Sequence, residues 1–247
     1  MRAEEPTIPV TLDGRETLAF EGETVLDLAR REAVHIPTLC FLEGLSRYAS
    51  CRLCLVSIAE TPGLRPACAT VIAEDMEVWT QTEEIRRYRR MIVELLFAEG
   101  NHICAVCVSN GACELQALAA ELGVDHIRYD YVAPERDIDA THHKYVLDPN
   151  RCVLCTRCVR TCDEIEGAHV WDVADRGHRA RIIAGMNQPW GTSAACTWCG
   201  KCVTACPTGA LFFKGRAVGE MENDPGLVAF LTTARQEGVW LDRDGRR

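Results

Sequence analysis

CVLCTRCVRTC, residues 152–162, and CTWCGKCVTACP, residues 196–207, carry their cysteines at one shared spacing, C-x2-C-x2-C-x3-C. Three cysteines this close together can wrap three corners of a 4Fe–4S cube, and the fourth of each run reaches the other cube. The spacing therefore assigns Cys152, Cys155, Cys158 and Cys206 to one 4Fe–4S cluster, and Cys196, Cys199, Cys202 and Cys162 to a second. Soft thiolates are the ligands that such centres take. Zinc is the competing metal, but zinc ribbons pair one C-x2-C with another and do not use a triplet with a distant fourth ligand. The first run lacks a proline after Cys162, and a 33-residue insertion separates the runs. Neither feature removes a ligand.

Working outward, the chain has 247 residues and 15 cysteines. The odd count argues against a framework built purely of disulfides, and clustered reduced thiols read as metal ligands. The opening MRAEEPTIPV has no apolar segment of signal-peptide type, and no stretch of 18 apolar residues offers a membrane span. A cytoplasmic protein is expected. With a net charge of −9 and no Lys/Arg-rich run, nucleic acid is not an expected partner. The one basic cluster, RRYRR at 86–90, has the spacing of a solvated helix face or a partner contact.

The cysteines fall into four groups, and the groups suggest the domains. Residues 1–80 begin with two alternating runs around Asp13-Gly14, a hairpin signal. A helix with Val25, Leu26, Leu28 and Ala29 on one face follows, then strands at CLVSIAE and MEVWT. That order points to a small α+β domain of β-grasp type. Its cysteines, Cys40, Cys51, Cys54 and Cys68, vary the plant-type 2Fe–2S spacing by a longer first gap. Small Ala49 and Ser50 would let backbone N–H groups approach the sulfurs.

Residues 81–123 read as two helices. The first, over 82–98, has Thr82 as N-cap, Glu83 and Glu84 in its first turn, and an apolar stripe of Ile85, Tyr88, Ile92, Leu95 and Leu96. Gly100 ends it, and the second helix runs to Gly123. Residues 124–147, charged and aromatic, read as a linker. Residues 148–214 hold the two repeated runs. Residues 215–247 read as a tail whose short helix, GLVAFLTTARQ, is expected to dock on a partner.

Between the two helices lies NHICAVCVSNGACELQ, with Cys104, Cys107 and Cys113. The other groups use twelve of the 15 cysteines, so a fourth cluster here wants one non-cysteine ligand. Neutral imidazole is the natural substitute. Of seven histidines, His102 is the nearest; the others are His35, His126, His142, His143, His169 and His178. A cluster with an open or water-filled corner is the other account. No dinucleotide fingerprint, phosphate loop or nucleophilic constellation is found, so the identifiable chemistry is one-electron redox. A chain of clusters without a substrate site reads as a wire between centres on other subunits.

With those motifs, the chain resembles the HoxU-type family: small diaphorase iron–sulfur subunits of NAD-reducing, bidirectional nickel–iron hydrogenases. The stretches AEGNHICAVCVSNGACELQALA and DPNRCVLCTRCVRTC carry the resemblance. It extends to the N-terminal region of the large iron–sulfur subunit of respiratory complex I and to the accessory domains of iron-only hydrogenases. It implies a β-grasp 2Fe–2S ferredoxin domain, a helical His/Cys3 4Fe–4S segment and a bacterial-type two-cluster 4Fe–4S ferredoxin domain. It also implies a partner flavoprotein holding FMN and NAD(H), and hydrogenase small and large subunits holding the nickel–iron centre. In complex I and iron-only hydrogenases the ligand pattern is H-x3-C-x2-C-x5-C. Here Gly100 stands four residues before Cys104 and His102 gives H-x-C instead. An iron–sulfur subunit of an NAD-dependent formate dehydrogenase and a free polyferredoxin are the alternative readings.

Overall fold

The computed structural model describes residues 7–132, 135–221 and 223–238. Strands β1 (Thr7–Leu12) and β2 (Arg15–Phe20) pair antiparallel through Asp13 and Gly14. Both turn residues have positive φ, 50° and 79°, the handedness that matches strand twist in a two-residue hairpin. Helix α1 (Val25–Arg31) starts at Thr24, whose side chain and that of Asp27 cap each other's backbone. Its Val25, Leu26, Leu28 and Ala29 bury against a sheet completed by β3 (Leu55–Ile58), β4 (Arg65–Pro66) and β5 (Met76–Trp79). The strand order is β2-β1-β5-β3-β4, with β1 parallel to β5 and the other pairs antiparallel. The long loop between α1 and β3 carries Cys40, Cys51 and Cys54, and Cys68 lies just after β4.

Helix α2 (Glu83–Glu99) is capped by the Thr82 hydroxyl, which accepts from the Ile85 N–H at 3.2 Å. Its buried face departs from the expected stripe. Ile85 and Val93 are buried, but so are Arg89 and Glu94, while Leu95 is exposed. Two polar residues can sit inside because each is fully partnered. Arg89 donates to the Leu53 and Leu55 carbonyls, both at 2.9 Å, and Glu94 pairs with Arg90 and Arg128. The RRYRR cluster is therefore not simply a solvated face: Arg89 staples α2 onto the first domain. Burial draws its pKa down to about 10. Helix α3 (Glu114–Glu121) opens directly after Cys113.

The segment 124–147 closes on a buried strand, β6 (Tyr145–Leu147), which pairs antiparallel with β9 (Leu211–Phe213). Between them come α4 (Arg157–Arg160), which continues as a wider turn to Glu166, then the hairpin of β7 (Trp171–Ala174) and β8 (Arg181–Ala184), and α5 (Lys201–Ala205). The hairpin is the insertion between the cysteine runs. Cys158, Cys162, Cys202 and Cys206 lie in the core of this part, with Trp171, Trp190 and Leu211.

The tail helix α6 (Gly226–Glu237) packs one face on this chain. Val228 and Leu231 pack with Leu42, Leu45, Ile165 and Ala205, and Thr232 donates to the Gly44 carbonyl at 2.9 Å. Gly44, at φ 85°, leaves no room for a Cβ beneath the helix. Residues 239–247 of the tail lie outside the described residues. Two buried arginines lock the same junction from inside. Arg160 donates to the Cys40 and Ser46 carbonyls, both at 2.6 Å, and to that of Cys155 at 3.1 Å. Arg157 donates to the Phe41 carbonyl at 2.8 Å and pairs with Glu114 at 2.5 Å. The planar guanidinium, with several donors in fixed directions, suits this bridging of carbonyls.

Candidate metal centres

In the first domain the four thiols gather in two pairs. Cys40 and Cys51 share a sulfur–sulfur hydrogen bond that lowers Cys40 to about 5 and pushes Cys51 up; burial adds to the rise. Cys54 and Cys68 do the same, with Cys54 raised and Cys68 lowered. The Ser50 backbone N–H and hydroxyl also reach the Cys40 sulfur, so this loop turns donors toward thiolate. Ala49 and Arg52, both at positive φ, curl it that way.

Each of the other three groups lines a cavity of its own. Cys152, Cys155, Cys158 and Cys206 face one walled by Leu147, Val153 and Ile182. Cys162, Cys196, Cys199 and Cys202 face another. The fourth cysteine of each run thus sits with the other run's triplet. Left-handed residues turn the two triplet loops alike, at Leu154 and Thr156 in one and at Trp198 and Gly200 in the other. Burial, with the neighbouring thiols adding to it, raises Cys152 to about 11 and Cys155 to about 12. An iron cation opposes that cost by binding the thiolate and releasing the proton. Among the described residues no three His, Cys, Asp or Glu side chains converge on a single metal ion. The quartets instead ring a space.

The third cavity is lined by His102, Cys104, Cys107 and Cys113. His102 Nε2 is buried without a hydrogen-bond partner. Burial first, then the Arg151 charge, lowers its pKa to about 4. A neutral ring whose Nε2 is unpartnered can offer that nitrogen to a metal. An edge-on contact with Phe97, centroids 5.4 Å apart, supports the ring. The ring occupies the space that a Cβ on Gly100 would need. The H-x-C histidine thus folds back over the position from which an H-x3-C histidine would start. Gly209 makes a similar allowance, since a Cβ there would lie 2.6 Å from Cys107 Sγ.

These segments match three family models: a 2Fe–2S iron–sulfur cluster binding domain over residues 5–83, the NADH-ubiquinone oxidoreductase-G iron–sulfur binding region over 89–128, and the ferredoxin-like domain of NADH-quinone oxidoreductase subunit 3 over 145–212. The gamma subunit of the NAD-reducing hydrogenase HoxS of Cupriavidus necator is 32% identical over 84% of this chain and 88% of its own length. The chain belongs to the family of that gamma subunit. A chain in the crystal structure of an NAD+-reducing [NiFe]-hydrogenase in the H2-reduced state is also similar, with a TM-score of 0.80 and 36% identity. That match covers 87% of this chain and 89% of the other. The NADP-reducing hydrogenase subunit HndD of Solidesulfovibrio fructosivorans is 36% identical, and this chain spans 36% of its length.

This chain has an α+β fold with a 2Fe–2S domain and a ferredoxin-like domain. Several residues at its centres carried no signal in the cysteine pattern. Arg151 donates to Cys107 Sγ at 3.1 Å while paired to Asp148. Arg160 links the carbonyls of Cys40 and Cys155, one from each domain. Thr208 lines both the His102 cavity and the Cys206 cavity. Arg151 stands directly before the first run, but no spacing rule singles out a residue that acts across 44 positions of chain.

Proposed function

We propose that the chain is an electron-transfer subunit of a cytoplasmic NAD-reducing hydrogenase. It would hold one 2Fe–2S cluster on Cys40, Cys51, Cys54 and Cys68. Three 4Fe–4S clusters would sit on His102/Cys104/Cys107/Cys113, on Cys152/Cys155/Cys158/Cys206 and on Cys196/Cys199/Cys202/Cys162. These clusters supply one-electron oxidation and reduction and no bond chemistry of their own. The protein's part is to hold the thiolates, exclude water and keep the four sites contiguous.

The observation that carries the reading is this contiguity. Arg160 joins the first domain's Cys40 to Cys155, Thr208 joins the His102 site to Cys206, and Cys158 shares a core with Cys202. The Cys152 site is the hub. Electrons from H2, oxidised to two protons at a nickel–iron centre on partner hydrogenase subunits, would pass to FMN on a diaphorase subunit. There NAD+ would accept two electrons and a proton to become NADH; the reverse direction uses the same wire. Two matches near full length on both sides are hydrogenase chains, which favours this over formate dehydrogenase. No helix among the described residues is long and apolar enough to cross a membrane.

The complex containing this chain, purified intact, should reduce NAD+ with H2 and contain nickel. Molybdenum or tungsten in its place would transfer the chain to a formate dehydrogenase. The chain alone should carry about 14 iron atoms from these cluster types.

A further inference from the structure

The two repeated runs supply the same four thiolates, yet their surroundings differ. Around Cys162, Cys196, Cys199 and Cys202 stands a set of nitrogen donors drawn from outside the runs. His142 is 1% exposed and lies in an aromatic box, stacked on Tyr145 at 4.8 Å and against Trp190 at 4.4 Å. Its Nδ1 accepts from the backbone N–H of Lys144 at 3.1 Å and of Tyr145 at 3.2 Å. A nitrogen that accepts two N–H groups carries no proton, so the ring proton is on Nε2. Nε2 lies 3.7 Å from Cys196 Sγ. Gly191 makes this possible, because a Cβ there would collide with the Thr141 carbonyl and meet the His142 N–H nitrogen at 3.0 Å. Trp171 lines the cavity of this quartet and packs edge-on against Trp190 at 4.6 Å. Trp190, 1% exposed, lines the same cavity, and its Nε1 has no partner.

We propose that His142, through Nε2–H to Cys196, is a positioning residue that raises the reduction potential of the centre held by Cys162, Cys196, Cys199 and Cys202. This rests on that quartet holding a 4Fe–4S cluster. A hydrogen bond to a ligand sulfur withdraws charge and stabilises the more negative, reduced form, so it raises the potential. Lys201, which lines the same cavity, is paired to Glu166 and contributes little net charge. The insertion between the runs thereby acquires a role: the turn after β8 brings Trp190 to hold the imidazole in place, and Trp171 on β7 packs behind it.

The test is an EPR-monitored redox titration of the intact complex carrying His142→Asn or His142→Gln. Asparagine retains an acceptor at the Nδ1 position for the two backbone N–H groups but loses the donor; glutamine retains a donor near Nε2. His142→Asn should lower the midpoint of one centre and leave the others unmoved. His142→Gln should hold it closer to the starting value. In the unmodified complex labelled with 15N-histidine, pulsed EPR should show a weak imidazole coupling on that centre, separate from the strong one of a coordinating histidine. Midpoints unchanged in the loaded Asn variant would overturn the proposal. So would absence of the weak coupling, which needs no variant to fold. Loss of the underlying reading looks different: an unmodified complex in which this quartet yields no 4Fe–4S signal at all.

Discussion

Gly100→Ala isolates the role of a residue that carries no ligand. Gly100 has an ordinary φ of −121°, so alanine meets no backbone strain there. By itself the change should stabilise the protein by about 0.4–1 kcal/mol through the unfolded chain. The added methyl, however, overlaps His102 Nε2 and lies 2.8 Å from Cδ2 and 3.0 Å from the Asn150 carbonyl oxygen. Non-bonded carbons settle near ~3.5 Å, so the ring must swing by roughly 1 Å. The backbone cannot easily give way, because the Asn101 N–H donates to that same Asn150 oxygen at 2.7 Å. A metal–ligand distance tolerates about 0.2 Å, roughly a fifth of that swing. The expected outcome is a displaced ligand in a folded protein. One EPR centre changes its g-values and midpoint, the other centres stay, and the melting temperature shifts by no more than a few degrees. His102→Ala should reproduce the spectrum, and Gly100→Ala combined with it should add nothing. A Gly100→Ala protein with every centre at its original g-values and midpoint would refute the reasoning, and with it the assignment of His102.

Four further outcomes are expected. Arg151→Met removes the hydrogen bond to Cys107 Sγ and should lower the midpoint of the His102 centre; a net bond of about 1 kcal/mol corresponds to roughly 40 mV for one electron, read by the same titration. Arg89→Met leaves the buried Leu53 and Leu55 carbonyls without their donor and should cost about 2–4 kcal/mol in urea unfolding; a loss below 1 kcal/mol would contradict the staple. Arg160→Met strips donors from the carbonyls of Cys40, Ser46 and Cys155 and should cost a similar ~3 kcal/mol, with faster amide exchange over residues 40–46. Removing iron should unfold much of residues 104–206, whose core contains the ligands, while the β1–β5 sheet keeps its aliphatic core; an unchanged far-UV circular dichroism spectrum would count against it.

The parts of the fold that local chemistry controls were legible in the chain. Asp13-Gly14 supplies two positive-φ residues and makes a hairpin; Thr82 and Thr24 cap helices that start where they stand. The cysteine runs could be read as segments because a cubane's corners demand ligands a few residues apart. The helix α2 stripe was misread for a physical reason. Periodicity counts apolar residues, and it assumes that charge points to water. Arg89 and Glu94 break that assumption because their partners arrive from residues 53–55 and 128. The tail helix offers an apolar face that reads the same whichever surface covers it, and Val228 packs on Leu42 and Leu45, from a distant part of the same chain.

The sequence by itself determined how many cysteines there are, how they are spaced and that one group holds three where the others hold four. Spacing along the chain is a covalent property. Only the tertiary structure decided which donors surround those thiols. Nothing local marks Gly100 as the space for His102, Arg151 as the partner of Cys107, or His142 as a donor to Cys196. Each depends on a buried polar group finding its complement across the fold. That is a requirement of desolvation, and it has no signature in the order of residues.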